Sequence, residues 1–185
     1  MAVAGSRSLP PSAFPLVARV ASALVRSGRS LAVGCASGAD LAVLSSGVPV
    51  SAVRCFAAFG PGGVGAWRCS AVSAVLAFAA AGGSVSWWAG GGPAVALVPR
   101  LAARTSACVS AASAGLVCFF ASTSSRGSLL AASLAVGRGL PVLAFPVGFP
   151  GSSLPPLGAG SWLPVGGSGV WASAWRWVPA QAALF

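Results

Sequence analysis

The sequence predicts an α/β protein of Rossmann-like, doubly wound architecture: a mainly parallel sheet with helices on both faces, followed by a Trp-rich C-terminal arm. Three observations carry that expectation. Short apolar runs of strand length alternate with longer stretches of helical period. Gly-rich turns punctuate the runs. Of the 185 residues, 56% are apolar and 6% charged, which is enough to bury a full core and too apolar for a disordered chain.

The first apolar run, Ala2–Gly5, ends in Gly5-Ser6-Arg7 and reads as a strand. Phe14, Val17, Ala18, Ala21, Leu24 and Val25 then recur at the spacing of one helix face, with Arg19, Ser22 and Arg26 opposite and Gly28 as the stop. A second strand over 30–33 runs into Gly34-Cys35-Ala36-Ser37-Gly38-Ala39-Asp40 and a short helix. Residues 52–59 read as a strand, the Gly-Pro-Gly-Gly turn at 60–63 leads to a helix over 66–81, and 84–88 form another strand. Gly90-Gly91-Gly92-Pro93 opens a helix to about residue 113, and 115–121 is a strongly β-like run. A polar loop over 122–128 leads into a helix ending at Arg138, and 141–145 is the last strand of the series. Residues 1–148 therefore make one Rossmann-like domain. The arm, 149–185, is rich in Gly, Pro and Trp. Trp171, Trp175 and Arg176 offer base-stacking surfaces, but the favoured reading is a hairpin or arm that packs on the sheet or at a subunit interface.

The composition excludes several functions. Eleven Arg stand against one acid, Asp40, with no Lys, His, Tyr, Asn, Ile or Glu. The missing types share adenine in the first or second codon position, which points to a coding strand poor in adenine. The absence of Lys is then uninformative, and the retained Asp40 carries weight. Without His no Ser-His-Asp or Cys-His pair can be built, and the groups that move protons near neutral pH are almost absent. The five Cys (35, 55, 69, 108 and 118) include no CxxC and have no His to complete a metal site. They read as buried thiols, with a reactive thiolate at Cys35 as the weaker alternative. No metal or cofactor is expected.

The net charge of +10 favours anionic partners, and Arg grips phosphate bidentately. Two uncharged stretches, 69–99 and 139–175, are cut by Gly and Pro into pieces shorter than the roughly 20 residues of a spanning helix. With no basic segment ahead of an apolar block at the N-terminus, a cytoplasmic protein without a membrane partner is expected. An apolar surface almost free of ion pairs favours a homo-oligomer.

Three loops fall where open α/β sheets bind ligands, outside the carboxyl ends of the strands: Gly5-Ser6-Arg7, the 34–40 loop with Gly34, Ser37, Gly38 and Asp40, and Ser124-Ser125-Arg126-Gly127-Ser128. The last two open onto helices, whose free N–H groups attract phosphate. Asp40 suits a ribose or base as acceptor, and helix capping is the other reading.

These segments resemble the SLOG superfamily, which includes DprA/Smf-like DNA-processing proteins and small LOG-like nucleotide-binding proteins. The resemblance rests on GSR at 5–7, G-x-A-x-GAD at 34–40, a later helical Arg (Arg104), and the run from Arg126-Gly127-Ser128-Leu129-Leu130-Ala131-Ala132 to Gly137-Arg138-Gly139-Leu140-Pro141-Val142-Leu143-Ala144-Phe145-Pro146. It covers residues 2–148. It implies that Gly5, Ser6, Arg7, Gly34, Gly38, Asp40, Arg104, Gly127 and Ser128 surround a nucleotide or nucleic acid. Where LOG phosphoribohydrolases carry PGGxGTxxE, Ser128 replaces the Thr and Ala131 the catalytic Glu, and Arg104 is followed by Thr105 rather than the Asn of DprA-like proteins. The expected function is therefore non-catalytic binding of single-stranded DNA or RNA through an Arg-lined cradle. The alternative is a sensor or weak N-glycosidic hydrolase for a free nucleotide or its derivative.

Overall fold

Leu116-Val117-Cys118-Phe119-Phe120 lies at the centre of the molecule, with every residue buried. Such a run buries both its faces only as an inner strand of a parallel sheet covered on each side. A computed structural model, describing residues 1–180, has that arrangement. The strands are β1 (Ala2–Gly5), β2 (Leu31–Val33), β3 (Val53–Phe56), β4 (Ser84–Ser86), β5 (Leu116–Phe120), β6 (Val142–Pro146), β7 (Gly160–Pro164) and β8 (Trp175–Pro179). The helices are α1 (Phe14–Arg26), α2 (Ala39–Leu44), α3 (Ala71–Ala80), α4 (Leu97–Ser110) and α5 (Arg126–Gly137). They form one sheet in the order β4-β3-β2-β1-β5-β6-β8-β7. The first six strands pair in parallel, and β8 joins β6 and β7 antiparallel.

Alternation along β5 divides the core. Val117 and Phe119 face the side packed with Val17, Val20 and Leu24 of α1, Val43 of α2 and Val75 of α3. Leu116, Cys118 and Phe120 face Val109 of α4 and Ala131, Ala132 and Ala135 of α5. The small residues of α5 let it lie close against the sheet. In α1 the buried stripe is Val17, Val20, Ala21 and Leu24. Phe14 and Val25 border it.

The order of the sheet reverses between β1 and β5, both of which pair with one another while their other neighbours lie in opposite directions. That reversal opens a crevice at the carboxyl ends of the strands.

Several expected boundaries shift. The run 52–59 is a strand over Val53–Phe56 alone, and 84–88 shortens to Ser84–Ser86. The helix expected from residue 66 starts at Ala71, because 61–63 take a 3-10 turn and the chain stays irregular through 70. The helix expected after Pro93 starts at Leu97, with Pro99 in its first turn, where a missing N–H costs no hydrogen bond. Arg126-Gly127-Ser128 is the first turn of α5 rather than loop.

The arm completes the sheet. Trp177 of β8 is buried and meets Trp162 of β7 edge to face at 5.3 Å between ring centres. Trp162 Nε1 donates to the Pro155 carbonyl at 2.9 Å, and Trp171 lies 5.9 Å from the Phe145 ring. Trp171 and Trp175 are thus half-buried in packing. No helix among the described residues is long and apolar enough to cross a membrane.

Candidate ligand cavity at the sheet switch point

A cavity of about 510 Å³ opens at the carboxyl ends of β1, β2 and β5, within the range usual for small-molecule sites. Gly5, Arg7, Gly34, Asp40, Arg104, Ser125, Arg126 and Gly127 line it, so the three loops do converge. Ser6, Ser37, Gly38 and Ser128, expected to touch ligand, do not line it. Most of these build the walls instead.

Ser6 is buried, and its Oγ accepts from the Ala121 N–H at 2.9 Å while donating to Ser125 Oγ at 2.8 Å. Ser125 Oγ lies 2.8 Å from Ser128 Oγ. This hydroxyl relay ties the end of β1 to the end of β5 and to the first turn of α5. Ser6→Ala should therefore destabilise the fold by about 1–3 kcal/mol by leaving the Ala121 N–H without its acceptor, measurable by urea titration. Gly38 has φ +74°, and a side chain there would overlap the Ser6 carbonyl, so its role is close approach of the 34–40 loop to the β1 loop.

The floor holds a buried ion pair. Arg104 Nη1 donates to Asp40 Oδ2 at 3.2 Å, across 64 residues of sequence, and the two side chains are 7% and 6% exposed. The Ala36 N–H donates to the same oxygen at 3.0 Å. Burial pushes the Asp40 carboxyl above its ordinary value, against the opposing pull of Arg104 and the loop N–H. The Asp40 charge holds Arg104 firmly protonated. The Nε of Arg104 is buried with no partner among the described residues. Gly34 leaves the room for this pair, since a Cβ there would overlap Arg104 Nη1 and Asp40 Oδ2. Gly34→Ala should force the pair apart and lower the denaturation midpoint by an amount approaching loss of the pair itself.

The rim is different in kind. Arg7 and Arg126 are exposed, and neither makes an ion pair or side-chain hydrogen bond among the described residues. Arg126 sits at the start of α5, whose free N–H groups face the same opening. Arg138 and Arg100 are engaged elsewhere. Arg138 Nη1 caps the end of α4 through the Val109 and Ala112 carbonyls. Arg100 Nη2 donates to the Gly65 carbonyl at 2.8 Å, with its guanidinium 5.1 Å from the Trp88 ring centre.

The apolar wall, Val98, Leu101, Ala102 and Val109 from α4 with Leu130 from α5, was not anticipated as part of a site. Its helical spacing was visible, but the same spacing marks any core-facing stripe. Cys35, within the 34–40 loop, is fully buried, and burial pushes its thiol up. Its Sγ accepts the Ala58 N–H at 3.2 Å, which makes it a packed thiol rather than an activated one. No cluster of three or more His, Cys, Asp or Glu able to hold a metal occurs among the described residues.

Fold and cavity together define a Rossmann-like α/β protein with a ligand-sized pocket at the switch point of its sheet. No protein-family model and no curated protein matches the chain.

Proposed function

We propose that the protein binds a free nucleotide or a similarly sized phosphorylated molecule, without turning it over. The observation that carries this reading is the pairing of two unengaged guanidinium groups, Arg7 and Arg126, with a helix start at the mouth of a cavity whose walls are apolar. Phosphate fits the mouth and a flat apolar base fits the walls. The ionisable groups lining the cavity are Arg7, Asp40, Arg104, Cys108 and Arg126. The Cys108 thiol is pushed up to about 12 by burial, and Asp40 is tied to Arg104. None is free to shuttle a proton near neutral pH, which supports binding over catalysis.

A cytoplasmic setting accords with such a ligand. The SLOG resemblance accords with either a nucleotide, through its LOG-like branch, or a nucleic acid, through its DprA-like branch. A strand of DNA or RNA is the second reading, favoured by the net charge of +10. It is less well supported, because a polymer needs a track of cations and two unengaged Arg line this opening.

The test is thermal denaturation with adenosine, guanosine, cytidine and uridine monophosphates. At least one should raise the melting temperature, and Arg7→Ala with Arg126→Ala should remove that shift while leaving the unliganded midpoint within a few degrees. Absence of any shift overturns the reading. For single strands, two phosphate contacts give a slope of log affinity against log salt near −1.4. A much steeper slope would bring further Arg into play and restore the polymer reading.

A further inference from the structure

The two ends of the sheet are built differently. At one end β4 has three residues, and Arg54 of the neighbouring β3 reaches it, donating from Nε and Nη2 to Ser86 Oγ at 3.1 and 2.9 Å. A short edge carrying a cation is protected against pairing. At the other end β7 has five residues, all exposed except the half-buried Trp162. Leu163 and the adjoining Val165 are 41% and 40% exposed, two of five large apolar residues so placed among the described residues. No ionisable side chain occurs anywhere in 139–175, so this edge carries no charge to block pairing.

Hydrogen bonding fixes which backbone groups face outward. The Val165 N–H donates to the Ala174 carbonyl at 2.8 Å, and the Ala180 N–H donates to the Ala159 carbonyl at 3.0 Å. Odd-numbered positions of this segment therefore face β8, and alternation turns the main-chain groups of Gly160, Trp162 and Pro164 away from it. Pro164 has no N–H, leaving Gly160 and Trp162 as the outward donors. Among the described residues β8 is the only strand paired with β7.

We propose that β7 is a self-association edge, pairing antiparallel with β7 of a second copy about a two-fold axis at Trp162. In that register each Trp162 N–H meets the Trp162 carbonyl of the copy, and each Gly160 N–H meets the copy's Pro164 carbonyl. All five residues pair and every outward donor is satisfied. A second copy is the occupant because the joint is self-complementary and because charge leaves few other faces for it. In a chain of net charge +10 any face bearing Arg repels its copy. The nearest cation here, Arg176, lies opposite Leu163 on β8. Three strand spacings, about 14 Å, separate that strand from its equivalent, beyond the roughly 8 Å Debye length at physiological salt.

The test is sedimentation of the full chain across concentration and salt. The wild type should dimerise, and more tightly as salt rises, opposite to the salt response of phosphate binding. Leu163→Arg should be monomeric, with a thermal midpoint at low concentration lowered only slightly by the new charge opposite the exposed Arg176. In a Cys69→Ser background, which leaves four buried Cys, Ser161→Cys with Leu163→Cys should cross-link under oxidised glutathione. Those positions oppose one another as a close, non-hydrogen-bonded pair, within disulfide reach. A wild type that stays monomeric at its solubility limit, or a Leu163→Arg variant that still dimerises, overturns the edge. Cross-linking by Ser161→Cys alone overturns the register. None of these outcomes depends on a ligand being found.

Discussion

Asp40→Ala should cost about 3–5 kcal/mol of stability, because it strands the Arg104 guanidinium in a site 6% exposed with no counter-charge. That is a large share of the about 5–15 kcal/mol that holds a typical domain together. The complementary Arg104→Met change should cost less, and the reason is chemical. A guanidinium cannot shed its proton in a folded protein, whereas a stranded carboxyl can take one up.

The two variants should therefore separate with pH. In Arg104→Met, Asp40 loses the partner that opposes its desolvation, so its folded pKa rises further above the unfolded value. Its contribution is then fully present below the unfolded value near 3.9 and is lost as pH rises through the folded one. Denaturant titrations should show Arg104→Met recovering on acidification from about pH 7 toward pH 4, while Asp40→Ala recovers nothing of the pair over that range. Equal losses at both pH values for both variants would mean that the pair contributes packing and not charge.

The second large effect is alkaline. Cys35, Cys55, Cys108 and Cys118 are buried. Desolvation raises all four thiols, Cys108 to about 12. Cys55 Sγ donates to the Gly34 carbonyl at 3.3 Å, a contact that needs the proton. Their folded pKa values lie above the unfolded ones, so the stability they contribute is whole below about pH 8.5 and is lost as pH rises toward the folded values.

Each thiol ionised only in the unfolded chain lowers stability by about 1.4 kcal/mol per pH unit. Four together give a slope of about 5 kcal/mol per unit once fully titrated. Unfolding in urea under reducing conditions at a series of pH values should show this decline begin near pH 9. The Cys118→Ala variant should show about three-quarters of the slope. A flat profile to pH 11 would contradict the burial of these groups.

Much of the fold is legible before folding is considered. Val17, Ala21 and Leu24 declare a helix by period, and the apolar run at 115–121 declares a strand, whose burial on both faces the fold adds. Gly5, Gly34 and Gly127 mark the turns that gather at the cavity. Helix starts were less visible. Leu97 and Ala71 begin helices later than local signals suggest, because the irregular backbone that follows each Gly-rich turn continues through 66–70 and 93–96, which contain no glycine to mark it.

The site divides in the same way. Arg7 and Arg126 reach the cavity as their loops suggest, but Ser6 and Ser128 turn inward to each other's relay. A hydroxyl beside a Gly-rich turn serves ligand and scaffold equally well, and only its neighbours decide between them. Arg104 is counted among ligand-binding cations by resemblance; in the folded chain it lines the cavity and is also the counter-ion of Asp40.

By itself the sequence determined the alternation of strand and helix, the apolar faces, the chemistry of the turns and an excess of cations without acids. Tertiary structure alone decided the order of the strands, the meeting of Asp40 with Arg104, and which Arg remain available at the cavity mouth. The division is physical: period and turn chemistry act over a few neighbouring residues, whereas pairing and desolvation depend on what the sheet brings together from positions far apart in the chain.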